Sequence, residues 1–204
     1  MQLLAIVGSP RKGKATDILV DKAIDGLQSI TPDCHVKKIF LADYNIKFCR
    51  DCLTCWKDTK AEPFAKCMIQ DDMKMIFEEI VKADRLILGT PVHMGYATGI
   101  MMTFLERICW TFARPGKNYL NVKGCPAPRS SIERKAVIIT VSGMIPPLYK
   151  KFCNWATPQI KQTINDSLNA KTVGKMYAGN VWNKGVEMYY DKAFKLGIKL
   201  AKIT

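Results

Sequence analysis

Five short segments of the chain are rich in apolar residues. They lack the regular alternation of apolar and polar residues that is typical of a strand with one solvent-exposed face. The first covers residues 3–7 and stops at Gly8. Uninterrupted apolar runs bounded by turn residues are typical of strands that are buried on both faces of a parallel sheet. The pattern therefore predicts five buried strands, at residues 3–7, 36–41, 85–89, 136–141 and 173–181.

Between these strands, apolar residues recur every three or four positions, which is the period of an amphipathic helix. The predicted helices cover residues 16–27, 72–82, 98–112, 148–168 and 185–203. Strands that alternate with helices predict an α/β fold, a doubly wound parallel sheet with helices on both faces. Two long stretches, residues 45–70 and 114–134, lack either period, and loops of that length usually carry function or are disordered.

The composition is that of an ordinary globular domain, with 204 residues, of which 48% are hydrophobic and 24% charged. We expect residues 1–204 to form one domain, with the loop 45–70 inserted after the second strand. The first apolar run is too short for a signal peptide, and no stretch approaches the length of a membrane span. These features favour a cytoplasmic protein that does not bind a membrane, in which the eight cysteines are reduced.

The formal net charge of +13 predicts a field that attracts anions. The lysines are scattered along the chain, and no arginine-rich or aromatic-basic motif accompanies them. We therefore expect no nucleic-acid binding. Anionic small molecules and acidic protein partners remain compatible with the charge.

A loop suited to a phosphate follows the first predicted strand, with the sequence Gly-Ser-Pro-Arg-Lys-Gly-Lys-Ala-Thr over residues 8–16. Such a strand-to-helix turn presents backbone N–H groups and the positive end of a helix. The loop matches neither the dinucleotide Gly-x-Gly-x-x-Gly pattern nor the Walker pattern, so a monophosphate fits it better. The candidate phosphate-binding residues are Ser9, Arg11, Lys12, Gly13 and Thr16.

Four cysteines, Cys49, Cys52, Cys55 and Cys67, lie within nineteen residues of the loop 45–70. Two-residue spacing lets successive thiolates turn toward one centre, as in iron–sulfur proteins, although eleven residues separate Cys55 from Cys67. Zinc held by four thiolates and a set of thiols without metal are the competing interpretations. A longer loop closes at modest entropic cost, so the spacing leaves the cluster interpretation open.

Several motifs in the first half of the chain resemble, in order, those of the flavodoxin-like NADPH-dependent FMN reductase family, and of its iron–sulfur flavoprotein branch in particular. They are the loop at residues 8–16, the four cysteines, Asp71-Asp72-Met73, Ala83-Asp84, the segment Gly-Thr-Pro-Val-His-Met-Gly at residues 89–95, and Phe104-Leu105-Glu106-Arg107. The resemblance implies a five-stranded sheet of order 2-1-3-4-5 with FMN at the switch point between strands 1 and 3. The loop 140–143 is then expected to approach the flavin ring from the other side.

The resemblance also implies roles for individual residues. His93 stands where the family often has an aromatic residue, and Trp56, Tyr96, Trp110 and Trp155 are candidates for covering the ring. The implied ring contacts are Pro91, Val92, His93, Met94, Gly95, Thr140, Ser142 and Gly143, and the implied ligands of a [4Fe–4S] cluster are Cys49, Cys52, Cys55 and Cys67.

The resulting functional prediction is an FMN-dependent NAD(P)H oxidoreductase, or an electron-transfer protein similar to the iron–sulfur flavoproteins, with no catalytic acid or base required. A cluster-free reductase of quinones, nitroaromatics or flavins is the first alternative, a non-enzymatic electron carrier the second, and a basic protein without flavin the third. The expected partners are NADH or NADPH as donor, and a small-molecule acceptor or an acidic ferredoxin-like protein. The resemblance further implies a homodimer or homotetramer.

Overall fold

The computed structural model describes residues 1–119 and 122–202. Its main sheet has the strand order β2-β1-β3-β7-β8, and all of these neighbours are parallel. This confirms the predicted order 2-1-3-4-5. The strands are β1 (Gln2–Val7), β2 (His35–Phe40), β3 (Arg85–His93), β4 (Tyr96–Ala97), β5 (Ala113–Tyr119), β6 (Val122–Pro128), β7 (Arg134–Val141) and β8 (Ala170–Ala178).

Helices cover both faces of the sheet, as predicted. The longer ones are α1 (Ala15–Gln28), α3 (Met73–Lys82), α4 (Gly99–Phe112), α6 (Ala156–Leu168) and α8 (Tyr190–Lys202), and the single turns are α2 (Thr54–Lys57), α5 (Lys150–Cys153) and α7 (Val181–Lys184). Residues of β1 alternate between two cores: Leu4 and Ile6 pack with α3, α4 and α6, whereas Leu3, Ala5 and Val7 pack with α1 and α8. No helix in the described ranges is long and apolar enough to span a bilayer.

Helices α1 and α8 are in backbone contact. A Cβ atom added at Gly26 would overlap the carbonyl group of Phe194, and one added at Gly197 would overlap the carbonyl oxygen of Ala23. Only glycine permits such an approach, so each helix contributes one glycine to the crossing.

The prediction of one helix over residues 148–168 is wrong at one point. The structure has a break there, between the end of α5 at Cys153 and the start of α6 at Ala156. At the break, the backbone N–H groups of Trp155 and Ala156 donate to the carbonyl oxygen of Gly95, at 2.7 and 3.1 Å. These amides bind a loop that follows β3, and they are therefore unavailable to one continuous helix.

Three further boundaries differ from the prediction. The last strand begins at Ala170, where it pairs with Arg134, and ends at Ala178, so Val181 belongs to α7. The stretch 114–134 contains the antiparallel hairpin of β5 and β6, with Ala113 opposite Pro128. A single 3₁₀ turn, Glu187–Tyr189, precedes α8, and the predicted end of that helix at Ile203 lies outside the described residues.

Candidate functional site

The loops expected to bind the cofactor follow strands whose carboxyl ends share one edge of the sheet. Val7 of β1 pairs with Gly89 of β3, and Pro91 of β3 pairs with Val141 of β7. The N–H of Gly8 donates to the carbonyl oxygen of Gly89 at 2.8 Å. The structure therefore brings the segments 8–16, 91–95 and 141–143 to the same edge, at the switch point of the strand order.

The loop 8–16 has the features of an anion site. Ser9 and Thr16 are 2% and 4% exposed, and the Ser9 hydroxyl accepts the N–H of Arg11 at 3.2 Å. Gly13 has a φ of +67°, which turns the chain into α1. Lys14, the residue before α1, gives no side-chain capping hydrogen bond. The N-terminal amides of α1 are thus left for a ligand, which is what a bound phosphate would use.

Two of the three cations of this loop, Arg11 and Lys12, differ in their surroundings. The Lys12 amine forms an ion pair with Asp43 at 2.6 Å and lies 5.1 Å from the centre of the Phe40 ring. Both neighbours follow or end β2, and Asp43 partly neutralises the Lys12 charge. Arg11 is exposed beside the loop. The guanidinium of Arg11 is therefore the better placed of the two for a phosphate.

The segment 91–95 forms a tight hairpin between β3 and β4. Val92 pairs with Ala97 and His93 with Tyr96, and the turn is made by Met94 and Gly95, with φ values of +51° and +89°. The side chain of Met94 is 93% exposed, and His93 is exposed. The tip of this hairpin thus presents side chains to solvent at the carboxyl edge.

Trp155 packs against this hairpin. A Cβ atom at Gly95 would lie 2.6 Å from the Trp155 ring, and the Trp155 ring centroid is 5.1 Å from that of Tyr96. Trp155 and Tyr96 are therefore the two predicted covering aromatics that lie beside the candidate ring site. Trp56 and Trp110 line the cysteine region instead.

The loop after β7 contributes backbone rather than the Thr140 hydroxyl. That hydroxyl is buried and bonded to Thr157 at 3.1 Å, to the carbonyl oxygen of Met176 at 3.2 Å and to the Asn154 amide at 3.2 Å. Thr140 therefore supports the loop from within the fold, and contact with a ring falls to Ser142 and Gly143.

Trp182, which the sequence does not single out, covers the loop after β7. The backbone N–H of Trp182 donates to the carbonyl oxygen of Gly143 at 3.0 Å. The Trp182 ring fills the space that a Gly143 side chain would occupy. A bulky aromatic residue two positions after Asn180 was the available signal, but Trp182 falls between the predicted strand 173–181 and the predicted helix 185–203. The uncapped helix, the buried hydroxyls and the two backbone loops together fit FMN.

The four predicted cysteine ligands converge. Cys49, Cys52, Cys55 and Cys67 all line one small cavity of about 30 Å³, and α4 contributes Glu106, Arg107, Trp110 and Thr111 to its lining. Within the described ranges, no three histidine, cysteine or acidic side chains are already arranged to share a metal ion. Four soft thiol donors on one cavity fit an iron–sulfur cluster or zinc in kind, and sharing one centre requires the thiols to move closer together.

The thiols of this cavity have unequal acidities. Burial raises the pKa of Cys55, and the neighbouring thiols of Cys67, Cys49 and Cys52 raise it further. Hydrogen bonds from the backbone and side chain of Thr54 lower the pKa of Cys52. The thiolate of Cys55 is therefore disfavoured by burial and by its neighbours, and a bound metal centre would supply a compensating positive charge.

A buried ion pair borders the cysteine cavity. Arg107 binds Asp71 through two contacts, at 2.5 and 3.1 Å, and the side chains are 1% and 0% exposed. The same guanidinium donates to the Cys67 sulfur at 3.4 Å and to the carbonyl oxygen of Lys47 at 2.7 Å. Arg107 thus ties three parts of the cysteine loop to α4.

The sequence indicates only part of this arrangement. An aspartate just before a predicted helix indicates a cap, and Asp71 does accept the N–H of Met73 at 3.1 Å, but its main partner is Arg107. Arg129 was not singled out at all, although it is buried and donates to the carbonyl oxygens of Cys55 and Ala61, at 2.8 and 3.2 Å. An isolated arginine in a stretch rich in proline was the only signal.

Comparison with known proteins identifies the family of the chain. Residues 1–143 match the model of the NADPH-dependent FMN reductase family. The chain is 33% identical over 107 residues to an iron–sulfur flavoprotein of Archaeoglobus fulgidus, which is 52% of this chain and 48% of that protein. The chain thus matches about half the length of this curated relative.

Solved structures share the fold at low sequence identity. An NAD(P)H:quinone oxidoreductase from Methanothermobacter marburgensis superposes with a TM-score of 0.69 at 16% identity, over 100% of this chain and 98% of that one. An FMN-dependent NADH-azoreductase from Bacillus anthracis, solved with FMN, gives a TM-score of 0.65 at 12% identity, over 99% and 100%. With a family match across most of its length and the sheet that the match requires, the chain belongs to the NADPH-dependent FMN reductase family.

Proposed function

We propose that the protein binds FMN at the carboxyl edge of its sheet and is an FMN-dependent NAD(P)H oxidoreductase. The observation that carries this proposal is the uncapped N-terminus of α1 beside the buried hydroxyls of Ser9 and Thr16, within the part of the chain that matches the family. When bound, FMN supplies the acceptor for the electrons of NADH or NADPH and their onward transfer.

The residues of the chain then have distinct tasks. Ser9, Thr16 and the first amides of α1 bind the phosphate, and Arg11 adds a charge-assisted hydrogen bond. Gly13 shapes the turn, because its N–H donates to the Asp17 carboxylate at 2.6 Å. The hairpin residues Pro91, Val92, His93, Met94 and Gly95 hold one side of the ring, and the N–H of Gly143 faces it from the loop after β7. The backbone of Ser142 supports that loop, because its N–H donates to Ala178 at 2.8 Å and its carbonyl oxygen accepts from Val181 at 3.2 Å. Lys12 contributes through its ion pair with Asp43, which orders the loop, rather than by direct contact.

Replacing Arg11 with glutamine should weaken FMN binding by about tenfold or more, because a hydrogen bond to a charged group is worth about 1.5–3 kcal/mol. Riboflavin, which lacks the phosphate, should bind the variant and the original protein equally. Fluorescence titration of the flavin-stripped protein measures both affinities. Lys192 is an exposed residue of α8, and Lys192→Gln removes one positive charge outside the loop 8–16. This variant controls for the general positive field of the protein.

A colourless protein that binds no added FMN would refute the proposal. If FMN binds, steady-state oxidation of NADH and NADPH with a quinone or ferricyanide separates an enzyme from an electron carrier. Rapid turnover supports the oxidoreductase, whereas slow reduction by both nucleotides supports the carrier.

The convergence of four thiols on one cavity favours a second assignment, which we propose as part of the same function: Cys49, Cys52, Cys55 and Cys67 bind a [4Fe–4S] cluster. A cluster would pass on electrons singly, and Arg107 would donate a hydrogen bond to one of its cysteine ligands. Zinc and free thiols are the competing states of the same residues.

Cys67→Ser should abolish stoichiometric iron and sulfide while leaving FMN bound, because serine is a poor ligand for iron–sulfur clusters and Cys67 lies away from the phosphate loop. Anaerobic purification, followed by metal and sulfide assay and an absorption spectrum, measures both. Cys125→Ser, in the β5–β6 hairpin, is the matched control and should keep the iron. Zinc or no metal in the original protein would refute the cluster and leave a reductase without one.

The remaining proposals concern the setting of the reaction. We propose a cytoplasmic protein that acts as a homodimer or homotetramer, with a small-molecule acceptor or an acidic ferredoxin-like partner. The +13 charge supports an acidic partner, because opposite charge accelerates encounter.

A further inference from the structure

A second and larger cavity lies beside the cysteine cavity. Its volume is about 610 Å³, which is within the range of small-molecule sites. Cys67, Ile69 and Arg107 line both cavities, and they form the partition between them. The proposed functions of the protein make no use of this second cavity.

One wall of the larger cavity is aromatic. Phe64 and Phe77 line it, with ring centroids 5.6 Å apart, and Phe112 packs behind both at 5.4 Å. Phe77 and Phe112 belong to the core, so this wall is fixed by the packing of α3 and α4. A fixed aromatic surface favours a flat apolar ligand group.

The remaining walls are positively charged. Lys66 and Lys74 line the cavity and are exposed, and Arg107 lines it with a buried side chain. Among the described residues, the Nε atom of Arg107 has no hydrogen-bond partner.

Asp71 is the only carboxylate among the residues that line the cavity. Its oxygens are already occupied by Arg107 and by the backbone N–H groups of Lys47 and Met73. Three cations therefore face this cavity against one carboxylate that is fully hydrogen-bonded. That imbalance favours an anion.

We infer that this cavity binds a small aromatic carboxylate, with its ring on Phe64 and Phe77 and its carboxylate between Lys66 and Lys74. A ligand in this position would touch Cys67 and Arg107 from the side opposite the cysteine cavity. A ligand in the larger cavity would therefore be in direct contact with one of the four cysteines, Cys67.

The test uses 2-naphthoate as the probe and neutral 2-naphthamide as its uncharged counterpart. Calorimetric titration of the full chain with its flavin bound should show saturable binding of 2-naphthoate and at least tenfold weaker binding of 2-naphthamide. The double variant Lys66→Gln and Lys74→Gln should weaken 2-naphthoate by about tenfold, since each exposed ion pair is worth up to about 1 kcal/mol. The charge-matched double variant Lys57→Gln and Lys82→Gln should bind as the original protein does.

Three results would overturn the inference. They are the absence of saturable 2-naphthoate binding, equal affinities for the acid and the amide, and unchanged affinity in the Lys66 and Lys74 variant. Flavin absorbance recorded in the same titration shows that the probe has not displaced the cofactor. Retention of the flavin also separates this test from the proposed function.

Discussion

Replacing Asp71 with alanine is expected to lower the free energy of unfolding by about 3–5 kcal/mol, a large part of the stability of a typical domain. The reason is that the Arg107 guanidinium, 1% exposed, would remain buried without its carboxylate. Denaturant unfolding followed by circular dichroism measures the loss. The cysteine loop should also loosen, because the backbone N–H of Lys47 donates to the same carboxylate at 2.9 Å.

Two variants show whether the loss comes from an uncompensated charge. Asp71→Leu combined with Arg107→Leu removes both charges and should be less destabilised than Asp71→Ala alone, because no buried ion is left unpaired. Lys82→Ala breaks an exposed ion pair with Glu79 and should cost no more than about 1 kcal/mol. A loss below 1 kcal/mol for Asp71→Ala would contradict the structural role given to this pair.

The same pair gives the stability a defined dependence on pH. Burial would raise the pKa of Asp71, but hydrogen bonds from Arg107 and from the Lys47 amide outweigh it and hold the pKa below its ordinary value of 3.8. A carboxyl with a lowered pKa stabilises the fold above its unfolded-state pKa, and this stabilisation is lost as the pH falls through the folded-state value. The difference between the original protein and Asp71→Ala should therefore be constant near neutral pH and shrink below about pH 4.

Gly197→Ala is the second change with a large expected effect, a loss of about 3 kcal/mol or more in unfolding free energy. The new methyl group would overlap backbone atoms of α1, namely the Ala23 carbonyl oxygen and the Leu27 amide nitrogen. Backbone cannot rotate away as a side chain can, so α8 would have to move off the sheet face that it shares with α1. Thermal and denaturant unfolding measure the result.

Gly99→Ala is the matched control for this prediction. Gly99 also lies in a helix, at the start of α4, but a Cβ atom there meets nothing within 4 Å. Alanine is the better helix former by up to about 1 kcal/mol, so this variant should be as stable as the original protein or slightly more so. Equal effects of the two substitutions would show that the α1–α8 contact is not as close as described.

The sequence predicted the fold well because its strongest signals are local. An apolar run such as residues 3–7, followed by Gly8, fixes both a buried strand and the turn at its carboxyl end. The hairpin of β5 and β6 was missed because Pro115, Gly116 and Pro126 read as loop chemistry rather than as strands. The break before α6 was missed because its cause, the carbonyl group of Gly95, lies 60 residues earlier in the chain.

In the candidate site, too, the residues with local signals were predicted and those placed by long-range contacts were not. Ser9, Thr16 and the hairpin 91–95 could be located from sequence because each follows directly from the end of a strand. The pairing of Arg107 with Asp71 could not, because 36 residues separate the partners and neither has a local pattern that announces burial. Thr140 was expected to contact the ring as part of a loop, whereas its hydroxyl is buried beside Asn154 and Thr157 by tertiary packing.

Helix α4 joins the two halves of the proposed redox site. Thr98, which precedes it, donates to the carbonyl oxygen of Gly8 at 2.6 Å, and Arg107 near its other end donates to Cys67. The eight helical steps from Gly99 to Arg107 span about 12 Å along the helix axis. The cysteine loop can therefore gain or lose residues between Cys55 and Cys67 without changing this separation. The length of α4 then sets the distance that electrons would travel between the proposed FMN site and the proposed cluster site.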